Sequence, residues 1–348
     1  MKLKQRIFLL LGGTLLATVA CLLMMPRVHE ANADEPFVVR YASVGGTTDA
    51  GLYIADELGF FKDIGIDFRY QRLESAAVLL AAIATEQIDV AGISVTPGLF
   101  SAVQQGVHLR IVGDKESILP HFSATQLVAR KELADDDVGT VLQRLKSKTV
   151  AVSGKTSVSY FLFSYLAKKH GFSISDFKIV ELSYANAIAA FSNGAIDAAV
   201  ELEPFLSRAI ATGMVKAVSD FVEIVPPVGA SIVPIVYSEK FIANRIAAEK
   251  FMVAYMRAVR VYNDAFLKGI DKEKIIDLVA RRTNSNLQTI RDSNPVGFEP
   301  NQEVNAAFLD EAQHFFLEQH FVTALIDVNK IIDPSFADAA VRVLGKYK

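Results

Sequence analysis

Residues 83–97 read Ile-Ala-Thr-Glu-Gln-Ile-Asp-Val-Ala-Gly-Ile-Ser-Val-Thr-Pro, and residues 190–204 read Ala-Phe-Ser-Asn-Gly-Ala-Ile-Asp-Ala-Ala-Val-Glu-Leu-Glu-Pro. Ile88-Asp89 aligns with Ile196-Asp197 and Pro97 with Pro204, and each stretch runs on into an apolar helix that stops at a glycine, Gly106 or Gly213. Each copy therefore predicts a helix, a short buried strand, a polar loop and a second helix. A strand that ends in a polar loop before a helix leaves backbone N–H groups free at one edge of a parallel sheet. Two such units imply two lobes facing one another across a cleft.

Working outward, Phe37 to Ser43 predicts a strand that ends in Gly45-Gly46-Thr47-Thr48-Asp49, followed by a helix over about 50–61. Gly65 to Tyr70, Ile88 to Ile93 and Leu109 to Val112 are further strands, with Ser75 capping the helix between the first two. A second run of the same kind begins at Thr149 to Val152, passes through Ser153-Gly154-Lys155-Thr156-Ser157 into a helix over 158–170, and continues with strands at 178–182, 196–200 and 215–218. Strands alternating with helices predict doubly wound, mainly parallel sheets. Two extended segments, 124–129 and 231–237, are read as paired hinge strands. This inserts a second lobe, 125–230, into a first lobe made of 34–124 and 231–348. Phe251, Tyr255, Val259, Tyr262 and Phe266 mark one face of a C-terminal helix that packs on the first lobe.

The first 33 residues read as an export signal. Lys2, Lys4 and Arg6 precede an apolar run, and Ala31-Asn32-Ala33 is a small-x-small cleavage site. Cys21, the one cysteine, gives a weaker lipoprotein reading, because Leu22 to Met25 follow it where polar residues are favoured. Beyond that segment stand 32 Lys and Arg against 38 Asp and Glu, which excludes a nucleic-acid surface. The six histidines show no metal spacing, so neither a metal nor a cofactor is expected.

Several phrases, in order, resemble one group of proteins. Leu52-Tyr53-Ile54-Ala55, Leu58-Gly59-Phe60-Phe61-Lys62 and Gly65-Ile66-Asp67 resemble the opening of the nitrate/taurine/aliphatic-sulfonate type solute-binding proteins of ABC importers. The Ile88 to Ala91 phrase, the Ile196 to Pro204 phrase and the Ile232 to Phe241 crossover are similar to that group's later segments, as is the Ile331 to Phe336 tail. The resemblance implies the two-lobed, type II periplasmic-binding-protein fold. It also implies a periplasmic monomer that takes a small organic anion or zwitterion by hinge closure and delivers it to a membrane permease with its cytoplasmic ATPase. The alternative is a thiamine-pyrimidine-precursor binding protein or an enzyme on the same scaffold. An enzyme is disfavoured because no cysteine stands beyond the export signal and no nucleophile–base spacing is readable. Two positions depart from the group: its tryptophan before Glu-Pro is Leu202, and its Gly-Gly-Ser loop carries Lys155.

The candidate ligand-binding residues follow from the strand ends. Thr156 and Ser157 start a helix and favour an anion, with Lys155 adding charge; the plainer reading of either hydroxyl is an N-cap. Gly46, Thr47 and Thr48 end the first strand, with Asp49 as a helix cap. Ser75, Ser94 and Thr96 complete the first lobe's face. Glu201 and Glu203, two apart on an extended segment, share a side and suit an amino or ring nitrogen, unless one pairs with Lys155 or Arg208. Tyr160 and Tyr184 are candidates for an aromatic wall. Asp89 and Asp197 are read as structural anchors, and His121 as a loop residue near the cleft.

Overall fold

The computed structural model describes residues 35–226 and 229–348. The export signal and Cys21 lie outside the described residues. Among the described residues ten strands form two five-stranded sheets. The first has the order β2 (Ile66–Arg72), β1 (Phe37–Ser43), β3 (Val90–Gly92), β10 (Ala230–Ser238), β4 (Leu109–Ile118). The second has the order β7 (Lys178–Glu181), β6 (Thr149–Val152), β8 (Ala198–Leu202), β5 (Thr125–Arg130), β9 (Val215–Ser219). Pairing is parallel at β1–β2, β1–β3, β6–β7 and β6–β8. In each sheet the fourth strand is antiparallel to both neighbours.

The two antiparallel strands are the segments expected to pair with each other, and that expectation is corrected. β5 lies between β8 and β9, and β10 between β3 and β4. The physical reason is burial. Every residue of β10 is buried, so both of its edges need hydrogen-bond partners, which two flanking strands supply and one partner does not. The chain passes between the sheets twice, from β4 to β5 and from β9 to β10.

The repeated Ile-Asp is a strand clamp. The Asp89 backbone N–H donates to the Arg40 carbonyl, and that of Asp197 to the Thr149 carbonyl, each at 2.8 Å. In return the Arg40 N–H donates to the Asp89 carboxylate at 2.8 Å and the Thr149 N–H to Asp197 at 2.9 Å. Each aspartate thus ties the repeat to the first parallel strand of its own sheet. At Asp89 the Arg40 guanidinium adds two contacts.

The helix expected over 50–61 is two, Ala50–Glu57 and Phe60–Asp63, because Gly59 is left-handed (φ 76°) and ends the first. The long helix Arg245–Lys268 packs its aromatic face on this region, with Phe251 stacked 5.1 Å from Phe61. Gly51 admits that face: a Cβ there would stand 2.9 Å from the Tyr255 ring. A second aromatic contact joins the layers of the two sheets. Phe161, on the helix Val158–Lys169, meets Phe308, Phe315 and Phe316 of the helix Ala306–Glu318. At its rim the Tyr165 hydroxyl donates to Glu311 at 2.7 Å. Among the described residues no helix is long and apolar enough to cross a membrane.

Candidate functional site

The carboxyl ends of β1 and β3 in one sheet and of β6 and β7 in the other line a common cavity of about 620 Å³. This is where open α/β sheets present their loops to ligands. The first sheet contributes Val44, Ser75, Ser94 and Thr96; the second contributes Ser153, Gly154, Thr156, Ser157 and Tyr184. Ser75, Ser94, Thr96, Thr156 and Ser157, the hydroxyls expected from the strand ends, come together here.

The loop after β6 is organised by three serines. Ser157 is the N-cap of Val158–Lys169: its Oγ accepts from the Tyr160 N–H at 3.3 Å and donates to the Gly154 carbonyl at 2.6 Å. It also lies 2.7 Å from the Ser159 hydroxyl, which in turn takes the Ser153 N–H at 2.9 Å. Buried Ser159 therefore holds both ends of the loop, and the sequence reading missed it. Lys155 is exposed and outside the cavity lining. Tyr160 is buried, its ring packed against Phe315 and Phe321, so it belongs to the core rather than to the cavity wall. Tyr184 lines the wall instead. His121 is exposed on a tight turn, away from the lining.

Thr48 and Asp49 are engaged inside the first lobe. Asp49 pairs with buried Lys115 at 3.2 Å and accepts from Tyr41 at 2.8 Å, Tyr70 at 3.0 Å and Ser43. Lys115 Nζ also donates to Thr48 Oγ1 at 2.7 Å. Asp49 was expected to cap the following helix, but it makes no side-chain cap bond. The carboxylate is enclosed, and a buried charge requires an opposite charge and donors more than the helix end requires a cap. Gly92 makes room for this pair: a Cβ there would fall 2.1 Å from Lys115 Cδ.

Glu201 ends up within β8 and Glu203 just past its end, and the two differ completely in environment. Glu203 accepts from the Ser207 N–H and hydroxyl (3.2 and 2.8 Å) and from the Asn294 N–H and amide (both 2.8 Å). Glu201 is 2 % exposed, and its Oε2 has no hydrogen-bond partner. Burial raises its carboxyl to about 8. Neither pairs with Lys155 or Arg208 among the described residues. Burial also raises Glu116, a neighbour of Thr125 Oγ1 at 3.5 Å, to about 7, against the opposing charge of Lys115. Burial raises the Tyr184 hydroxyl, and the charges of Glu116 and Glu201 add to that rise.

A second cavity, about 490 Å³, starts one residue further along the same turn, with Gly45, Gly46 and Thr47 on one side and Leu202 to Phe205 on the other. Arg72, Arg208 and Arg282 line it. The predicted residues Gly46, Thr47 and Glu203 fall here rather than in the larger cavity. Arg72 ends a strand, where its charge carries no sequence signal beyond that of a solvated edge. Among the described residues no cluster of His, Cys, Asp and Glu is arranged to hold a metal ion.

This architecture of two mixed α/β lobes is the periplasmic-binding-protein fold. Residues 47–264 match the family described as NMT1/THI5 like, and the chain belongs to that family. No curated protein sequence matches the chain. Among solved structures it is similar to the periplasmic aliphatic sulphonate binding protein SsuA from Escherichia coli, with 21 % identity over 86 % of this chain and 92 % of that one and a TM-score of 0.69. It is also similar to the periplasmic nitrate-binding protein NrtA from Synechocystis PCC 6803, with 15 % identity, 90 % of each chain covered and a TM-score of 0.68. The desulfurization enzyme DSZB shares the fold too, at 13 % identity over 88 % of this chain and 99 % of that one with a TM-score of 0.61.

Proposed function

We propose that this chain is the solute-binding component of an ABC importer, which captures a small organic anion or zwitterion between its lobes and presents the closed form to a membrane permease. The observation that carries this reading is the larger cavity, walled by loops from the carboxyl ends of both sheets and rich in hydroxyls. A solute that touches both walls binds a closed arrangement better than an open one, and that difference is what shifts the population. The chain crosses between sheets twice, which supports a second body of about residues 125–230 moving against the remainder. The family and the sulphonate- and nitrate-binding neighbours support the same role. Export by a signal cleaved after Ala33 belongs to this reading, and intact mass of the secreted protein tests it.

The decisive experiment is a thermal-shift screen of sulfonates, taurine, nitrate, carboxylates and thiamine-pyrimidine precursors, followed by X-ray scattering with any solute that binds. A solute present at a hundred times its dissociation constant should add about 2.7 kcal/mol, and the radius of gyration should fall. A binding solute that leaves the radius unchanged would count against closure. Recovery of the solute chemically altered would favour catalysis, which the fold supports in the desulfurization enzyme.

A further inference from the structure

The second cavity also lies between the two sheets and gathers more charged side chains than the first. Its charged side chains are Arg72, at the end of β2, Arg208, on the helix Phe205–Ala211 that follows β8, Arg282 and Glu203. Arg282 is committed to Asp56 and Glu57. Glu203 is committed to the four donors from Ser207 and Asn294. Arg72 and Arg208 make no ion pair among the described residues. Arg72 lies across the turn at Gly45, where a Cβ would meet its Cδ and Nε at 3.2 Å. Thr47 lines the same cavity, is 7 % exposed, and has a hydroxyl with no hydrogen-bond partner. A buried polar atom without a partner is uncommon and points to a group supplied from outside.

We infer that this cavity is an oxoanion subsite, which takes the sulfonate, phosphonate or carboxylate of a small organic solute between Arg72 of one lobe and Arg208 of the other, with the Thr47 hydroxyl completing the donor set. The inference rests on the clamp reading above and assigns the acidic end of its solute. Guanidinium groups suit this task because their planar donor fork matches the oxygens of such anions. Two solvent-facing cations, one on each lobe, hold an anion weakly until both engage it, so binding reports closure. It should also weaken as salt rises.

The test is calorimetry on the full chain with ethanesulfonate, ethylphosphonate and propionate, and with ethylammonium as the cationic control. At least one of the three anions should bind. Arg72→Ala and Arg208→Ala should each weaken it tenfold or more, and Thr47→Val severalfold, with melting temperatures of the unliganded proteins unchanged for the two exposed arginines. No binding by any of the anions overturns the subsite, and so does anion binding that both arginine variants leave intact. Scattering separates this from the clamp. A compacting solute indifferent to both arginine variants removes the subsite and keeps the clamp. Arginine-dependent anion binding without compaction keeps the subsite and removes the clamp.

Discussion

The two copies of the repeat place different chemistry at the same point of the same scaffold. After β3 the chain leaves Ser94 and Thr96 at the cavity; at the end of β8 the corresponding places hold Glu201, still within the strand, and Glu203, just past it. The strands, their parallel neighbours and the aspartate clamps match. The neutral pair imposes little on the fold. Of the acidic pair, one member is built into the structure by four hydrogen bonds, and the other is buried with an oxygen unpartnered. A scaffold duplicated at the level of strand order thus has one tolerant edge and one that stores electrostatic cost.

The largest effect should come from relieving that cost. Glu201 titrates at about 8 when folded against an ordinary 4.5. A raised carboxyl destabilises the fold once the unfolded chain ionises. The cost is absent below about pH 4 and grows as pH climbs toward 8. Glu201→Gln removes it. The variant and the wild type should coincide at pH 4 in chemical denaturation, and the variant should be the more stable by on the order of 3 kcal/mol at pH 7. Parallel stability profiles across that range would show that the carboxylate finds a partner.

Glu203 should behave in the opposite way. Glu203→Ala strips the Ser207 and Asn294 donors of their acceptor in a buried place, at a cost of about 2–3 kcal/mol. A loss below about 0.5 kcal/mol would dissolve the distinction between the two carboxylates.

The loops after the first strand of each sheet form a milder pair. The turn after β1 is held by the Asp49–Lys115 pair, and that after β6 by serine hydroxyls. Ser157→Ala should cost about 1 kcal/mol, the usual worth of a helix N-cap, measured as a lower denaturation midpoint with an unchanged slope. A negligible loss would mean that Ser157 faces solute rather than the helix.

The parts of this picture legible in sequence are those set by local pattern. Ile-Asp before an apolar strand announced the repeat, and with it both sheets and five of the residues around the larger cavity. What sequence did not disclose depends on contacts between distant residues. Lys115 sits in the charged run Asp114-Lys115-Glu116 of β4, and nothing in spacing links it to Asp49; only the fold brings them to 3.2 Å. Tyr160 and Tyr184 are both aromatic residues near helix starts, and helical periodicity alone does not say which ring the neighbouring layer will cover. The packing of Phe315 and Phe321 decides it. The crossover strands were recognised as extended, but their partners depended on which edges remained open inside each sheet.

Thr96 gives the smallest effect and the sharpest contrast with Glu203, its counterpart in the repeat. It is the N-cap of the Pro97–Gln104 helix yet makes no side-chain cap bond. The first helical residue is proline, which has no N–H to satisfy. Replacing its hydroxyl by a methyl therefore removes no hydrogen bond that the fold uses. Val is also close in size, and Thr96 is only half-buried, so Thr96→Val should change stability by no more than about 0.5 kcal/mol. Thr96 nevertheless lines the larger cavity. A solute that takes a hydrogen bond from it would bind severalfold more weakly to the variant, while the unliganded melting temperature stays in place. Calorimetry beside thermal melts separates the two readouts. A marked drop in melting temperature would show that this edge is not the tolerant one, and the asymmetry between the repeats would have to be sought elsewhere than in Ser94 and Thr96.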